Sequence, residues 1–272
     1  MTDIDTLCDN LSKNLSITDT NVEKECKNIR LLIDNLINYY MEIEPTPLLK
    51  TEDTGKTLEY AICLAYNTPY NGPFKYSVEE AQALVPRLKT ALIDEKLFPQ
   101  CTHTAEKGSR YDYTASDDAS QHLSAKSTKD KGKVAPQVIG QPTPQKFCNL
   151  LGVPLIDVYS LKKYIQENIN TILPVLDTYT FDSSILYYNK KKDTIQFIKL
   201  VTPIIWSNYQ YSWTTPYSKW TNSTTLHIST PGQKSVPLVE FQFHSTRKNM
   251  AIRWCFDAFL KFFENSLTIR NF

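Results

Sequence analysis

The stretch Tyr111–Lys129, YDYTASDDASQHLSAKSTK, constrains the fold more than any other part of the chain. Tyr111 and Tyr113, then Leu123, Ala125 and Ser127, recur with a period of two, which predicts two short strands within 109–128. Ala115-Ser116-Asp117-Asp118 supplies the turn between them. Ser124 and Lys126 stand two apart, so they point to the same face of the second strand. A strand pair this short needs helices or further strands to cover it. The chain has 272 residues, 41% of them hydrophobic, enough for one large domain or a core with an added subdomain.

Helix-period patterns precede the pair. Leu7, Leu11 and Leu15, then Ile29, Leu32, Ile33, Leu36, Ile37 and Tyr40, predict a helical pair over 3–44 that packs on the core or on a partner subunit. Pro45 and Pro47 end it. Over 51–67, Leu58, Ala61, Ile62 and Ala65 form the buried stripe of a further helix. Thr54 or Thr57 is its expected cap, and Glu59 sits in its first turn. Ser77-Val78-Glu79-Glu80 is a capping box that opens another helix, with a kink or break expected at Pro86.

After the pair, 129–146 is basic and then rich in Pro, Gly and Gln around an apolar Val134–Ile139 patch. Helices are expected around Phe147–Leu151 and Leu161–Ile169, then a hairpin of Ser184–Tyr188 with Thr194–Leu200 about a lysine-rich turn. Residues 203–232 carry Trp206, Tyr209, Tyr211, Trp213, Tyr217 and Trp220 among polar residues. These aromatics either stack on nucleobases or form an aromatic mini-core. Leu238, Glu240, Gln242 and His244 alternate with Val239, Phe241 and Phe243 as the two faces of a strand. A turn at Arg247-Lys248-Asn249, a strand over Ile252–Phe256 and a closing helix over Asp257–Phe263 complete the chain.

Composition removes several classes of function. A net charge of +1 argues against indiscriminate coating of nucleic acid, while leaving room for a local basic cleft. The six cysteines make no CxxC pair, which removes a zinc ribbon or thioredoxin-like motif. Cys63 and Cys148 lie in apolar runs and read as buried free thiols, which suggests a reducing, cytoplasmic compartment. No apolar run approaches the roughly 18 residues of a membrane span. Walker, GxSxG, HExxH and GxGxxG motifs are all missing, and the four histidines are scattered.

The acids and the lysine of the central stretch carry the chemistry. Asp112, Asp117 or Asp118 on the strand–turn side, and Lys126 on the next strand, are the groups that hold a metal ion against a phosphate and offset developing charge. Magnesium demands oxygen ligands and takes few carboxylates from a protein. Asp112 followed by Ser124-Ala125-Lys126 resembles the core motif of the PD-(D/E)xK nuclease superfamily, especially type II restriction endonucleases. The helix carrying Glu59 resembles the acidic helix that precedes that hairpin in the family. The resemblance implies Asp112 as a metal ligand, Lys126 as the catalytic lysine and Glu59 as an additional catalytic and metal-binding acid. From its place in the turn, Asp118 is a further candidate metal ligand if the turn folds back. Two positions depart from the motif: Tyr111 stands where a proline is expected before Asp112, and Ser124 where an acid is expected. The vacancy at Ser124 raises the importance of Glu59.

These readings together give a mixed α/β, restriction-endonuclease-like sheet flanked by helices, with a helical addition over 1–50, a nuclease core over 51–202 and a β-rich DNA-recognition region over 203–272. The activity implied is Mg2+-dependent cleavage of double-stranded DNA at a short sequence, by a homodimer if the target is palindromic. Lys129, Lys131, Lys133, Gln137, Gln141, Gln242, His244, Arg247 and Lys248 are the expected DNA contacts, since Gln pairs with adenine, Arg with guanine and Lys with phosphate. The alternative is a non-catalytic nucleic-acid-binding or protein-interaction protein, in which the acids only form turns.

Overall fold

Leu58, Ala61, Ile62 and Ala65 are fully or almost fully buried along one side of helix α1 (Thr51–Tyr66), as their spacing requires. The computed structural model describes residues 51–272 apart from 106–108 and 245. The helices expected over 3–44, and the addition over 1–50 that contains them, lie outside the described residues. Because α1 begins at Thr51, neither Thr54 nor Thr57 caps it, contrary to expectation. Thr57 Oγ1 instead donates to the Asp53 carbonyl at 2.8 Å, one turn back within the helix. Ser77 does cap helix α2 (Val78–Lys89), accepting from Glu80 N at 3.1 Å. The Glu80 carboxylate turns away from the cap to Lys190, at 2.7 Å. Helix α2 runs through Pro86 and loosens only beyond it, into a π-helical turn at Thr90–Asp94 closed by Glu95 N donating to Thr90 O at 3.1 Å.

The first sheet has the order β1-β2-β3-β5-β6-β11. It comprises β1 (Cys101–His103), β2 (Tyr113–Ala115), β3 (His122–Thr128), β5 (Ser184–Asn189), β6 (Thr194–Leu200) and β11 (Leu267–Asn271). Only β3 and β5 run parallel; the other pairs are antiparallel. A parallel pair needs a long crossover, and residues 129–183 supply it through β4 (Lys133–Val134), α3 (Pro144–Leu151), α4 (Val158–Glu167) and α5 (Ile169–Phe181). Along β5, Ile185 and Tyr187 join one core while Leu186 and Tyr188 join another, so this sheet is buried on both faces. The face toward α1 and α2 also holds Tyr113 and Leu123.

The second sheet, β4-β10-β9-β8-β7, is wholly antiparallel. Its other strands are β7 (Gln210–Trp213), β8 (Ser223–Ser229), β9 (Val236–His244) and β10 (Asn249–Cys255), with helix α6 (Phe256–Phe262) following directly. Two expectations are corrected here, and one open alternative is decided. Strand β10 starts at Asn249, ahead of Ile252. Leu238, expected on the polar face of β9, is fully buried, because the register slips between Leu226 and His227 and turns it inward. Of the two readings of the aromatic segment, the mini-core is observed for Trp206 and Trp220: Trp206 stacks on Trp254 and Trp220 packs edge-on to Phe241 and Phe243. Strands β1, β4, β7, β8 and β11 had no counterpart in the periodicity. Cys63 and Cys148 are buried free thiols, as expected, and no described helix is long and apolar enough to cross a membrane.

Candidate active site

Strand β2 stops pairing with β3 at Tyr113, opposite Leu123, so the two strands part just where Asp112 enters. The Asp112 carbonyl accepts from Thr104 N at 2.8 Å, which anchors its backbone to the edge of β1. Its Oδ2 accepts from Ala125 N at 2.8 Å, a donor of β3 that β2 no longer reaches. The carboxylate thus fills the widening gap between the strands. Burial raises its pKa above the ordinary carboxylate range, and the nearby Glu59 charge adds to that; Lys126 is the strongest influence in the opposite direction, with the Ala125 hydrogen bond and Lys56 behind it.

Glu59 comes from α1, which packs against β3 through Leu58, Leu123 and Ala125. The Tyr113 hydroxyl donates to the Glu59 carbonyl, tying helix to sheet, and lies 3.7 Å from Cys63 Sγ. Lys56, one turn earlier on the helix, places Nζ 2.7 Å from Glu59 Oε2. His103 from β1 brings Nε2 to 3.6 Å from the same oxygen, too far for a hydrogen bond as it stands. The ring of His103 is fixed by Tyr70, stacked at 4.5 Å, and by Asn71 N donating to Nδ1 at 2.9 Å, which leaves the Nε2 hydrogen facing Glu59. Burial pushes the Glu59 carboxyl up, but His103 and Lys56 together outweigh it and hold the pKa below the usual value.

Lys126 is half-buried and makes no hydrogen bond or ion pair among the described residues. Leu123 and Ala125 face α1, and a Cβ added at Gly55 on that helix would lie 3.6 Å from Ser127 Oγ. Strand alternation therefore sets Ser124 and Lys126 on the opposite face. Asp112 stands at the opening between the faces and responds to the charges of both Glu59 and Lys126. Ser124, where the motif has an acid, is fully buried; Gln137 donates to its hydroxyl and to Ser183 Oγ at 3.1 Å. Gln137 Oε1 is left without a partner.

The remaining candidates are dispersed. Asp118 is not brought to Asp112 and Glu59: its carboxylate closes its own turn, accepting from Ser120 N at 2.9 Å, Ser120 Oγ at 2.6 Å and Gln121 Nε2 at 2.9 Å. These hydrogen bonds hold its pKa below the ordinary value. Lys131 and Gln141 are exposed and Lys129 half-buried. Lys133 is committed to Glu240, at 2.6 Å. Gln137 is buried and turned inward, away from any macromolecular ligand. Gln242 and His244 are half-buried on the outer face of β9, where Arg253 donates to Gln242 Oε1 at 3.1 Å, and Arg247 and Lys248 are exposed at the adjoining turn.

Two residues of this site were missed in the sequence. Lys56 carries a legible signal, the three-residue spacing to Glu59 on one helix face. His103 carries none, since only the sheet brings β1 beside α1. Among the described residues no group of three or more His, Cys, Asp or Glu side chains converges to hold a metal ion. Two carboxylates, with water and phosphate completing the shell, nonetheless suit a small hard cation.

No family model matches the chain, and no solved structure does. The sequence is 38% identical over 226 residues to the Type II restriction enzyme CviAII of Paramecium bursaria Chlorella virus 1, an alignment that covers 82% of this chain. The chain spans 63% of the length of that relative.

Proposed function

We propose that the protein is a Mg2+-dependent, sequence-specific endonuclease of double-stranded DNA, of the type II restriction kind, working as a homodimer in the cytoplasm. The observation that carries this reading is Asp112: an acid in the gap where two strands part, coupled to Glu59 from one helix and to Lys126 on the neighbouring strand. The similarity to a type II restriction enzyme supports the same reading.

Asp112 and Glu59 would hold the cation; before it binds, His103 and Lys56 keep the Glu59 carboxylate ionised and in place. A bound Mg2+ would supply Lewis-acid stabilisation of the scissile phosphate and activation of water. Lys126, whose ammonium makes no hydrogen bond or ion pair among the described residues, is suited to orient that water or to offset charge building on the phosphate. The Ser124–Gln137 pair fills the position of the motif acid with neutral groups, so Glu59 carries the second negative charge. Exposed Lys131, Arg247 and Lys248 are suited to phosphates, and Gln141, Gln242 and His244 to base edges.

The test is incubation of purified protein with unmodified plasmid and phage DNA in Mg2+, alongside Lys126→Ala and Asp112→Asn. Discrete fragments from the wild type, with activity lowered about 100-fold or more in each variant, are expected. DNA binding without cleavage across several unmodified DNAs would favour the non-catalytic alternative.

A further inference from the structure

Lys56 makes the shortest contact to a site carboxylate among the described residues, 2.7 Å from Nζ to Glu59 Oε2. It is half-buried, with its side chain about a third exposed. The second site acid, Asp112, is close enough for its charge to act on Lys56 as well. On the α1 side of the gap the structure therefore holds two carboxylates and one ammonium. A divalent cation taken up by Glu59 and Asp112 would meet that ammonium at the same carboxylate, where like charges repel strongly in a partly enclosed site. His103 Nε2 already faces the oxygen that Lys56 occupies and stands just beyond hydrogen-bond reach. If Lys56 leaves, that imidazole is the group placed to keep Glu59 oriented.

We infer that Lys56 is a built-in counter-ion: it pairs with Glu59 while no divalent cation is bound, and it is displaced from Glu59 when one binds. This rests on the metal-dependent reading of the site, but it concerns occupancy and not cleavage. The device keeps two acids from repelling one another and destabilising the α1–β3 contact, at the cost of weaker metal affinity. It also makes Lys56 a positioning residue whose effect is retained when its charge is kept and lost when the charge is removed.

The experiment is calorimetric titration of the full-length protein with Mn2+ in the absence of DNA, for wild type, Lys56→Gln, Lys56→Arg and Asp112→Asn. Lys56→Gln is expected to bind Mn2+ about fivefold more tightly, the ratio that corresponds to losing a partly exposed ion pair. Lys56→Arg should stay near wild type, and Asp112→Asn should lose the site. A second readout needs no variant: amine acetylation followed by mass spectrometry should show Lys56 more reactive in saturating Mn2+, as it leaves Glu59. Lys56→Gln affinity equal to or weaker than wild type, or Lys56 reactivity unchanged or lowered by Mn2+, overturns the inference while leaving an Asp112-dependent metal site standing. Absence of any Asp112-dependent binding in wild type and Lys56→Gln alike overturns the metal-dependent reading itself, and this inference with it.

Discussion

Asp177 on α5 shows what a single buried acid does when its surroundings only half satisfy it. Trp206 Nε1 donates to its Oδ2 at 3.1 Å, while Oδ1 is buried without a partner. Burial pushes its pKa up to about 6, against the downward pull of the tryptophan hydrogen bond. The folded protein then binds a proton more tightly than the unfolded chain, so stability falls as pH rises from the ordinary carboxylate range through about 6. Asn keeps an acceptor for Trp206 and removes the charge. Asp177→Asn should therefore be more stable than wild type at pH 8, by up to about 3 kcal/mol, with the gap closing toward pH 4. Urea melts at the two pH values check this; a gap that stays constant with pH would show that the charge is not the cause. At this scale Glu59, Asp112 and Lys126 stood out in the sequence because their residue types suit the chemistry. Lys133 and Gln137 stood out in the same way as DNA contacts. Their commitment to Glu240 and Ser124 comes from residues far along the chain, which no local pattern reveals.

At the scale of elements, the passage from β3 into β4 turns on Gly132. Its φ is +58°, and a Cβ there would meet Asp257 Oδ2 at 2.6 Å, while its carbonyl accepts from Phe256 N at 2.7 Å. Asp257 is itself held by Lys192, at 2.7 Å. The turn thus fixes the end of the lysine-bearing strand of the first sheet to the start of α6 beside the second. Gly132→Ala is expected to cost about 1–3 kcal/mol, from a left-handed backbone and displacement of the Asp257 carboxylate together. Thermal unfolding checks it, and a melting temperature within a degree of wild type would refute the tight fit. The Ser77 cap and the two-residue period of β3 were legible because each is a local device, although the Glu80 half of the expected capping box turns instead to Lys190. Strands of two to five residues such as β1, β4, β7 and β11 are too short to show a period. They form because neighbouring strands supply their hydrogen bonds.

At the scale of the molecule, the two sheets interleave along the chain. Strand β4 lies between β3 and β5 in sequence but joins the second sheet, and β11, at the far end of the described chain, returns to the first. There β11 pairs with β6 and its Leu267 joins the core behind the second sheet; beyond it, the Phe272 carbonyl accepts from Arg87 Nη2 at 2.8 Å. All four tryptophans lie in or against that same core. Deleting residues 267–272 should lower stability by at least about 2 kcal/mol, since buried apolar contacts and a full edge of hydrogen bonds go together. The loss should appear in the tryptophan fluorescence midpoint as well as in circular dichroism. An unchanged fluorescence midpoint would mean that the sheets unfold independently.

Residue order alone determined the mixed α/β class, the strand–turn–strand with its early acid and late lysine, and the amphipathic helix carrying Glu59. Each of these depends on spacings of two to four residues, and such spacings are set by backbone geometry before any tertiary contact forms. Tertiary structure alone decided that β2 and β3 part at Asp112, that a helix from earlier in the chain brings Glu59 and Lys56 to that gap, and that His103 stands behind them. It also decided that Ser124 is closed off by Gln137 from the crossover. The electrostatics of the gap belong to this second group. The position of each carboxyl pKa depends on how deeply the group is enclosed and which charges stand within a few ångströms, and those neighbours come from α1, β1 and β3 at once.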